Sequence, residues 1–177
     1  ANTYTVSFDS NGGNTLRTIL TATYDKTYGE LPTPTRTGYT FDGWYTEKTS
    51  GDIVTDETNV TKYEDHTIYA HWTANTYTIN FDGNGGTTST ESKEVTFNEE
   101  YGTLPNASRD GYIFNGWYTE NTNGEEINET TVVEITNNQT LYAHWIPRHY
   151  VVTFDSMEGN LISETNTIIT EFDSEYG

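Results

Sequence analysis

Two histidines, His71 and His144, sit in the same short motif, Tyr-Ala-His-Trp, at 69–72 and 142–145. Histidine is the side chain best placed to act as general base or metal ligand near neutral pH. Neither has a second histidine at ligand spacing. Zinc wants three or four ligands, and acid–base catalysis wants a partner within hydrogen-bond reach. The pattern therefore fits an exposed histidine on a strand. Asp9 and Asn11 precede Gly12-Gly13, and Asp82 and Asn84 precede Gly85-Gly86, loosely in the manner of a calcium loop. The later bidentate glutamate of such a loop is missing, whereas Asn-Gly supports the positive φ angles of a tight turn. Carboxylates are plentiful enough to pair as in a glycosidase. Most of them shift between the two halves of the chain, however, as in Asp56-Glu57 against Glu129-Thr130.

Arg36 and Arg109 are the basic position that both halves share. An ion pair or packing on an aromatic ring explains them, with ligand contact as the rival. Trp44, Tyr45, Trp117 and Tyr118 could form an aromatic platform for a sugar, or could fill a core. Arg36, Trp44, Tyr45, Arg109, Trp117 and Tyr118 are thus the candidate ligand contacts. Exposed tryptophans would favour binding, and buried ones a packing role. No Gly-x-Ser-x-Gly elbow, phosphate loop or His-Glu-x-x-His occurs. The expectation is a protein that is not an enzyme and holds no metal or cofactor.

These residues recur because the whole chain recurs. Gly38-Tyr39-Thr40-Phe41-Asp42-Gly43-Trp44-Tyr45 returns as Gly111-Tyr112-Ile113-Phe114-Asn115-Gly116-Trp117-Tyr118, an offset of 111 − 38 = 73. The same offset relates Tyr4 to Tyr77, Tyr28-Gly29 to Tyr101-Gly102, and Tyr77 to Tyr150. A fixed period makes the repeat the first structural fact about a sequence. The domains read as 1–73, 74–146 and an incomplete third repeat, 147–177, holding a first hairpin only. Thr73-Ala74-Asn75-Thr76 is a short connection with little slack. Successive units are expected in a restricted orientation, as in a rod, each roughly 30 Å across.

Within a repeat, Tyr4–Phe8 alternates large apolar with small polar residues, the mark of a strand with one buried face. A turn at Asn11-Gly12 and a strand ending at Tyr24 follow. Pro32 and Pro34 limit the next segment to one short helical turn. Tyr39–Thr46 forms a third strand, on which Trp44 faces away from Phe41 unless Gly43 makes a bulge. Thr49–Glu64 is polar and variable, as a surface loop or edge would be. Ile68, Ala70 and Trp72 share one face of the last strand. The expected core is Val6, Phe8, Tyr24, Leu31, Phe41, Ala70 and Trp72, with their partners 73 residues on.

A unit of about 73 residues buries only about 60% of its unfolded surface, so it has little stability to spare. With 32% hydrophobic but 14% aromatic residues, its core must rely on a few large rings. The net charge of −19 argues against nucleic acid and against anionic lipid. No apolar run approaches a transmembrane span, so no membrane insertion is expected. There is no cysteine, hence no disulfide. The N-terminus lacks signal-peptide character, as in a mature or excised segment.

The motifs Tyr-Thr-Val-Ser-Phe-Asp-Ser-Asn-Gly-Gly (4–13), Tyr-Gly-Glu-Leu-Pro (28–32), Gly-Tyr-Thr-Phe-Asp-Gly-Trp-Tyr (38–45) and Tyr-Ala-His-Trp (69–72) closely resemble the Listeria–Bacteroides repeat. Both full copies and the start of the third carry the resemblance. It implies a fold class that is mainly β or α+β, with tandem β-grasp, ubiquitin-like units. It also implies secreted or wall-anchored bacterial proteins, extracellular, in which such arrays act as spacers or contribute to adhesion. It brings no catalytic residues.

Three functions fit: a stalk, a module binding a host-cell or cell-wall glycan or protein, or a self-assembling protein. In the last, residues 148–177 would be completed by a neighbouring chain. The third copy has Met157-Glu158 in place of Asn-Gly. It supplies no strands to cover its Tyr150, Val152, Phe154 row, and of its possible covers the preceding repeat is the weakest.

Overall fold

The computed structural model describes residues 1–154 and 167–174; Met157-Glu158 and Tyr176-Gly177 lie outside the described residues. All regular structure among the described residues is β. The first five strands are β1 (Thr3–Asp9), β2 (Ile19–Thr23), β3 (Tyr39–Tyr45), β4 (Ile53–Val54) and β5 (His66–Ala74). Next come β6 (Thr76–Asp82), β7 (Thr87–Thr88), β8 (Ser92–Thr96), β9 (Ala107–Ser108), β10 (Tyr112–Tyr118), β11 (Glu126–Ile127) and β12 (Gln139–Pro147). β13 (His149–Thr153) and β14 (Thr167–Glu171) end the series.

Two compact units emerge, and they do not follow the sequence period. The first comprises Ala1–Tyr77 with Thr96–Glu99 and Val133–Thr136. The second comprises Thr78–Val95, Glu100–Val132 and the chain from Asn137 onward.

In the first unit the sheet order is β2-β1-β5-β3-β4. β1 and β2 form an antiparallel hairpin joined by residues 10–18, which open with the positive-φ turn at Asn11 (φ 48°) and Gly12 (φ 90°) that the Asn-Gly signal predicts. β1 and β5 pair in parallel at the centre, Val6 against His66. A parallel pair needs a long crossover, commonly a helix. Here the segment between β2 and β3 crosses without one. Pro32 and Pro34 exclude helical bonds, and the chain is pinned by local ties instead: Asn14 bridges Thr35, and Thr27 bridges Asn59.

The bulge on β3 decides the core. Phe41 faces Trp72 and Gly43 faces His71, so Asp42 is the extra residue. Gly43 sits at φ 144°, a conformation that suits glycine. The phase of the strand flips, and Trp44 joins Phe41 on the buried side. Its ring lies 4.8 Å from Phe8 and 5.7 Å from Phe41. At ~25 cal/mol per Å², burying an indole of about 200 Å² is worth on the order of 5 kcal/mol.

Val6, Phe8 and Ala70 are buried as expected, together with Ile68 and Trp44. Leu31, Phe41 and Trp72 are half-buried and pack against this cluster. Tyr24 corrects the sequence reading. It is 46% exposed, because it lies just past β2 at the rim rather than over the sheet. Thr49–Glu64 takes the edge alternative of the sequence reading, with buried residues added. It supplies the edge strand β4 and the buried Val54 and Val60.

The second unit repeats the design, with sheet order β11-β10-β12-β6-β8 and β6 parallel to β12. Ile79, Phe81, Val95, Tyr101, Trp117, Ile127, Leu141 and Ala143 are buried. The bulge recurs between Phe114 and Gly116. This unit also holds the antiparallel hairpin β13–β14. The hairpin is held near Phe172. Phe172 packs on Tyr112 at 5.4 Å between ring centroids, and the Tyr112 hydroxyl donates to Asp173 at 3.0 Å. The preceding repeat is therefore a stronger support for the hairpin than the sequence suggested. The cross-strand pair Val152 and Ile168 is half-buried, whereas the pair Val151 and Ile169 on the other face is exposed.

Candidate functional site

The six candidate contacts do not form one site. In each unit they fall in three places. Trp44 and Trp117 are only 2% exposed. Their indole N–H groups donate to the carbonyls of Pro32 and Pro105, both at 2.8 Å. This bond ties the proline-rich crossover to the sheet, and it leaves neither indole face open to a sugar.

Tyr45 and Tyr118 lie on the opposite face, half-buried. Each stacks on the histidine of the Tyr-Ala-His-Trp motif, with centroids 3.9 Å apart and planes within 8° and 9°. His71 Nε2 sits 2.9 Å from the carbonyl oxygen of Glu47, and His144 Nε2 2.9 Å from that of Glu120. A carbonyl only accepts, so Nε2 carries the proton in each. The histidines thus fasten the loop after β3 or β10 to the last long strand. Among the described residues no cluster of three His, Cys, Asp or Glu side chains could hold a metal ion.

Arg36 and Arg109 each line an open cleft, and the edge of Trp44 borders another of about 500 Å³ with Pro32, Phe41 and Ile53. Arg36 lies over the Tyr39 ring, 3.8 Å from its centroid, and Arg109 over Tyr112 at 4.0 Å. The other side of each guanidinium faces the hairpin turn. A Cβ added at Gly12 would fall 3.4 Å from Arg36 Cζ, and one at Gly85 3.3 Å from Arg109 Cζ. Each arginine is thus held between a bare glycine and a tyrosine face. The next glycine has a separate task. A Cβ on Gly13 would come 2.3 Å from the Trp72 ring, whose N–H donates to the Ser10 carbonyl at 2.9 Å. Gly86 and Trp145 repeat the arrangement. The Asn-Gly-Gly run is therefore a packing surface as well as a turn.

An open cleft of about 690 Å³ lies beside Arg36, lined also by Gly12, Asn14, Thr35, Tyr39 and Phe97. One of about 380 Å³ lies beside Arg109, with Asn84, Tyr112, Asn121 and His144. Among the described residues no carboxylate comes within ion-pair distance of either arginine; the ion pair formed is His149 with Glu171 at 3.9 Å. A half-buried guanidinium with an open edge can accept a carboxylate, sulfate or phosphate.

Sequence reading missed two sets of residues. Asn11 and Asn84 appeared as turn formers. Their side-chain amides also donate to the carbonyls of Ala70 and Ala143, both at 3.0 Å, locking the turn to the central strand. Tyr28 and Tyr101 are buried core residues, 7% and 2% exposed. The Tyr28 hydroxyl meets His66 Nε2 at 2.7 Å, and that of Tyr101 meets Gln139 Oε1 at 3.4 Å. Burial pushes both phenol pKa values above the usual 10.0. The exact repetition of Tyr-Gly at 28–29 and 101–102 was the available signal for this role.

A family model for the Listeria-Bacteroides repeat domain matches residues 4–71 and 77–144. The chain is 35% identical, over 98% of its length, to a "Putative membrane protein" of Evansella cellulosilytica. It is 37% identical, over 80% of its length, to Internalin H of Listeria monocytogenes serovar 1/2a. It spans about a quarter of each relative, 26% and 25% of their lengths.

Proposed function

The chain belongs to the Listeria-Bacteroides repeat family, and from that premise we propose that it is a spacer or stalk segment of a bacterial surface protein. The observation that carries this reading is the burial of Trp44 and Trp117 at 2% exposure. What returns every 73 residues is chiefly core, turn and crossover geometry, with the arginine cleft as the exception. A binding module would instead be expected to repeat an exposed constellation. The role is non-catalytic, mechanical and extracellular.

Each unit is read as a β-grasp module in which an extended, proline-pinned crossover replaces the helix. The order β2-β1-β5-β3 with a parallel central pair supports this. Only Asn75 separates β5 from β6, which supports a connection with little slack. The net charge of −19 suits a segment that stays soluble and repels its neighbours.

Replacement tests the proposal. In the full-length parent protein, residues 1–146 are exchanged for an unrelated folded segment of similar length. A spacer role predicts that display and adhesion by the rest of the protein survive. Normal display with adhesion lost contradicts it.

A second reading is favoured by the open guanidinium edges of Arg36 and Arg109, which suit an anionic glycan. An array of uronate- and sulfate-bearing oligosaccharides would then show saturable binding that Arg36→Gln with Arg109→Gln abolishes. The strongly acidic chain opposes this reading by long-range repulsion.

A further inference from the structure

Gly38 and Gly111 each form the floor of an aromatic socket. In the first compact unit, a Cβ on Gly38 would come 2.3 Å from the Phe97 ring. Gly38 is also at φ +76°, so glycine is required twice over. Phe97 meets Tyr39 edge to face at 5.5 Å, and Arg36 covers Tyr39 as well. Asn75 completes the joint, donating its N–H to the Gly38 carbonyl at 2.9 Å and accepting from the Phe97 N–H at 2.9 Å.

The second compact unit contains the same joint. A Cβ on Gly111 would come 2.3 Å from the Phe172 ring, and Phe172 meets Tyr112 at 5.4 Å. Arg148 donates its N–H to the Gly111 carbonyl at 2.8 Å and accepts from the Phe172 N–H at 2.9 Å.

One half of this joint occurs a third time, uncovered. Tyr24 is the residue 73 before Phe97, and Asn2 is 73 before Asn75. The Tyr24 N–H donates to the Asn2 carbonyl at 3.0 Å, the bond that Phe97 makes to Asn75. Tyr24 is 46% exposed, whereas Phe97 and Phe172 are half-buried under their sockets. The residues around Asn2 and Asn75 are identical, Ala-Asn-Thr-Tyr-Thr at 1–5 and at 74–78. Tyrosine suits the place as well as phenylalanine. The Phe97 atoms nearest Gly38 are Cγ, Cδ1 and Cδ2, so a hydroxyl at the far end of the ring lies outside that contact.

We propose that Tyr24 and Asn2 form a docking surface for the glycine–tyrosine–arginine socket of another repeat of this kind, joined ahead of Ala1 as residues 1–73 are joined ahead of Ala74. The occupant follows from which sockets are open. Those at Gly38 and Gly111 are filled by Phe97 and Phe172, so a second copy of this chain has neither to offer. Chemically, the surface recognises a bare glycine backed by a tyrosine ring, with a carbonyl for the Asn2 N–H.

The test uses the whole chain and a lengthened one in which residues 1–73 are duplicated directly ahead of Ala1. That fusion recreates the natural junction residue for residue. Site-resolved amide exchange is read at Asn2, with Asn75 as the internal control for folding. The expected result is protection of the Asn2 amide by about tenfold or more in the lengthened chain. Tyr24→Ala should remove that protection and leave Asn75 unchanged. Equal Asn2 exchange in the two chains, with Asn75 protected in both, overturns the proposal. So does protection of Asn2 that rises with concentration in the chain without the added repeat, because the occupant would then be a second copy.

Discussion

The crossover between β2 and β3 and its counterpart 73 residues on are fastened at the same points by different side chains. In the first unit, Arg17 donates to the Glu30 carbonyl at 3.0 Å. In the second, the carbonyl at the same place in the repeat, that of Thr103, is held by Lys93 at 2.9 Å. Lys93 corresponds to Leu20, not to Arg17 (93 − 73 = 20). Likewise the Tyr28 hydroxyl meets a histidine, and the Tyr101 hydroxyl a glutamine. By contrast, the bulge glycine, the tryptophan N–H to a proline carbonyl, and the two glycines of the turn are the same residues in both. Geometry that only one residue type can satisfy is kept. A requirement for any donor or any acceptor is met by whatever side chain reaches.

This contrast predicts a graded set of costs. The largest belongs to Trp44→Ala and Trp117→Ala, each destabilising its own unit by about 3–5 kcal/mol in equilibrium urea unfolding. Both changes remove the ring from the core and leave a proline carbonyl without its donor. A loss below 1 kcal/mol in either would show that the indole is not the centre of its core.

Glycines come next. Gly13→Ala places a methyl group 2.3 Å from the Trp72 ring, whereas nothing lies within 4 Å of a Cβ at Gly29. Gly13→Ala should therefore cost about 1–3 kcal/mol through overpacking. Gly29→Ala, at φ +70°, should cost about 1 kcal/mol from backbone strain alone. The reverse order would break the distinction between crowding and conformation.

The exchangeable partners should give the smallest effects. His66→Gln copies the second unit and should shift stability by less than about 0.5 kcal/mol. His66→Leu leaves the Tyr28 hydroxyl without an acceptor and should cost about 1–2 kcal/mol. Thermal melts of the two variants beside the parent separate these outcomes.

Alkaline pH probes Tyr28 and Tyr101 together, because burial raises both pKa values in the folded state. A group with a raised folded pKa contributes stability that is fully present below its unfolded value, here 10.0, and lost as pH rises through the folded value. The melting temperature should therefore fall from about pH 10 upward through these two phenols. Tyr28→Phe with Tyr101→Phe should flatten the fall. An unchanged slope would mean that other groups dominate it.

Much of this was legible in the sequence. Alternation located β1, β3 and β5, Asn-Gly located the positive-φ turn after β1, and the two prolines limited the crossover to one short helical turn at most. Gly43 flagged the bulge without revealing whether it forms, and the face of Trp44 depended on that. Tyr24 shows the limit of alternation, because a large ring at the end of a strand can belong to a different contact from the strand's own face. Val54 and Val60 were hidden in a polar stretch, since two buried side chains leave little pattern over sixteen residues. Tyr28 with His66 and Tyr101 with Gln139 could not be paired from sequence, because all the contact asks of histidine or glutamine is an acceptor atom within reach of the hydroxyl.

An aromatic residue from beyond the 73-residue period, Phe97, completes the first compact unit. Phe97→Ala tests it, read by amide exchange at Asn75, which donates to Gly38, and at Tyr39, which donates to the Arg36 carbonyl at 3.1 Å. The expected result is faster exchange at both amides, by about tenfold, with Ile79 and Phe81 in the second sheet unchanged. Faster exchange at Ile79 and Phe81 with Asn75 and Tyr39 untouched would contradict it.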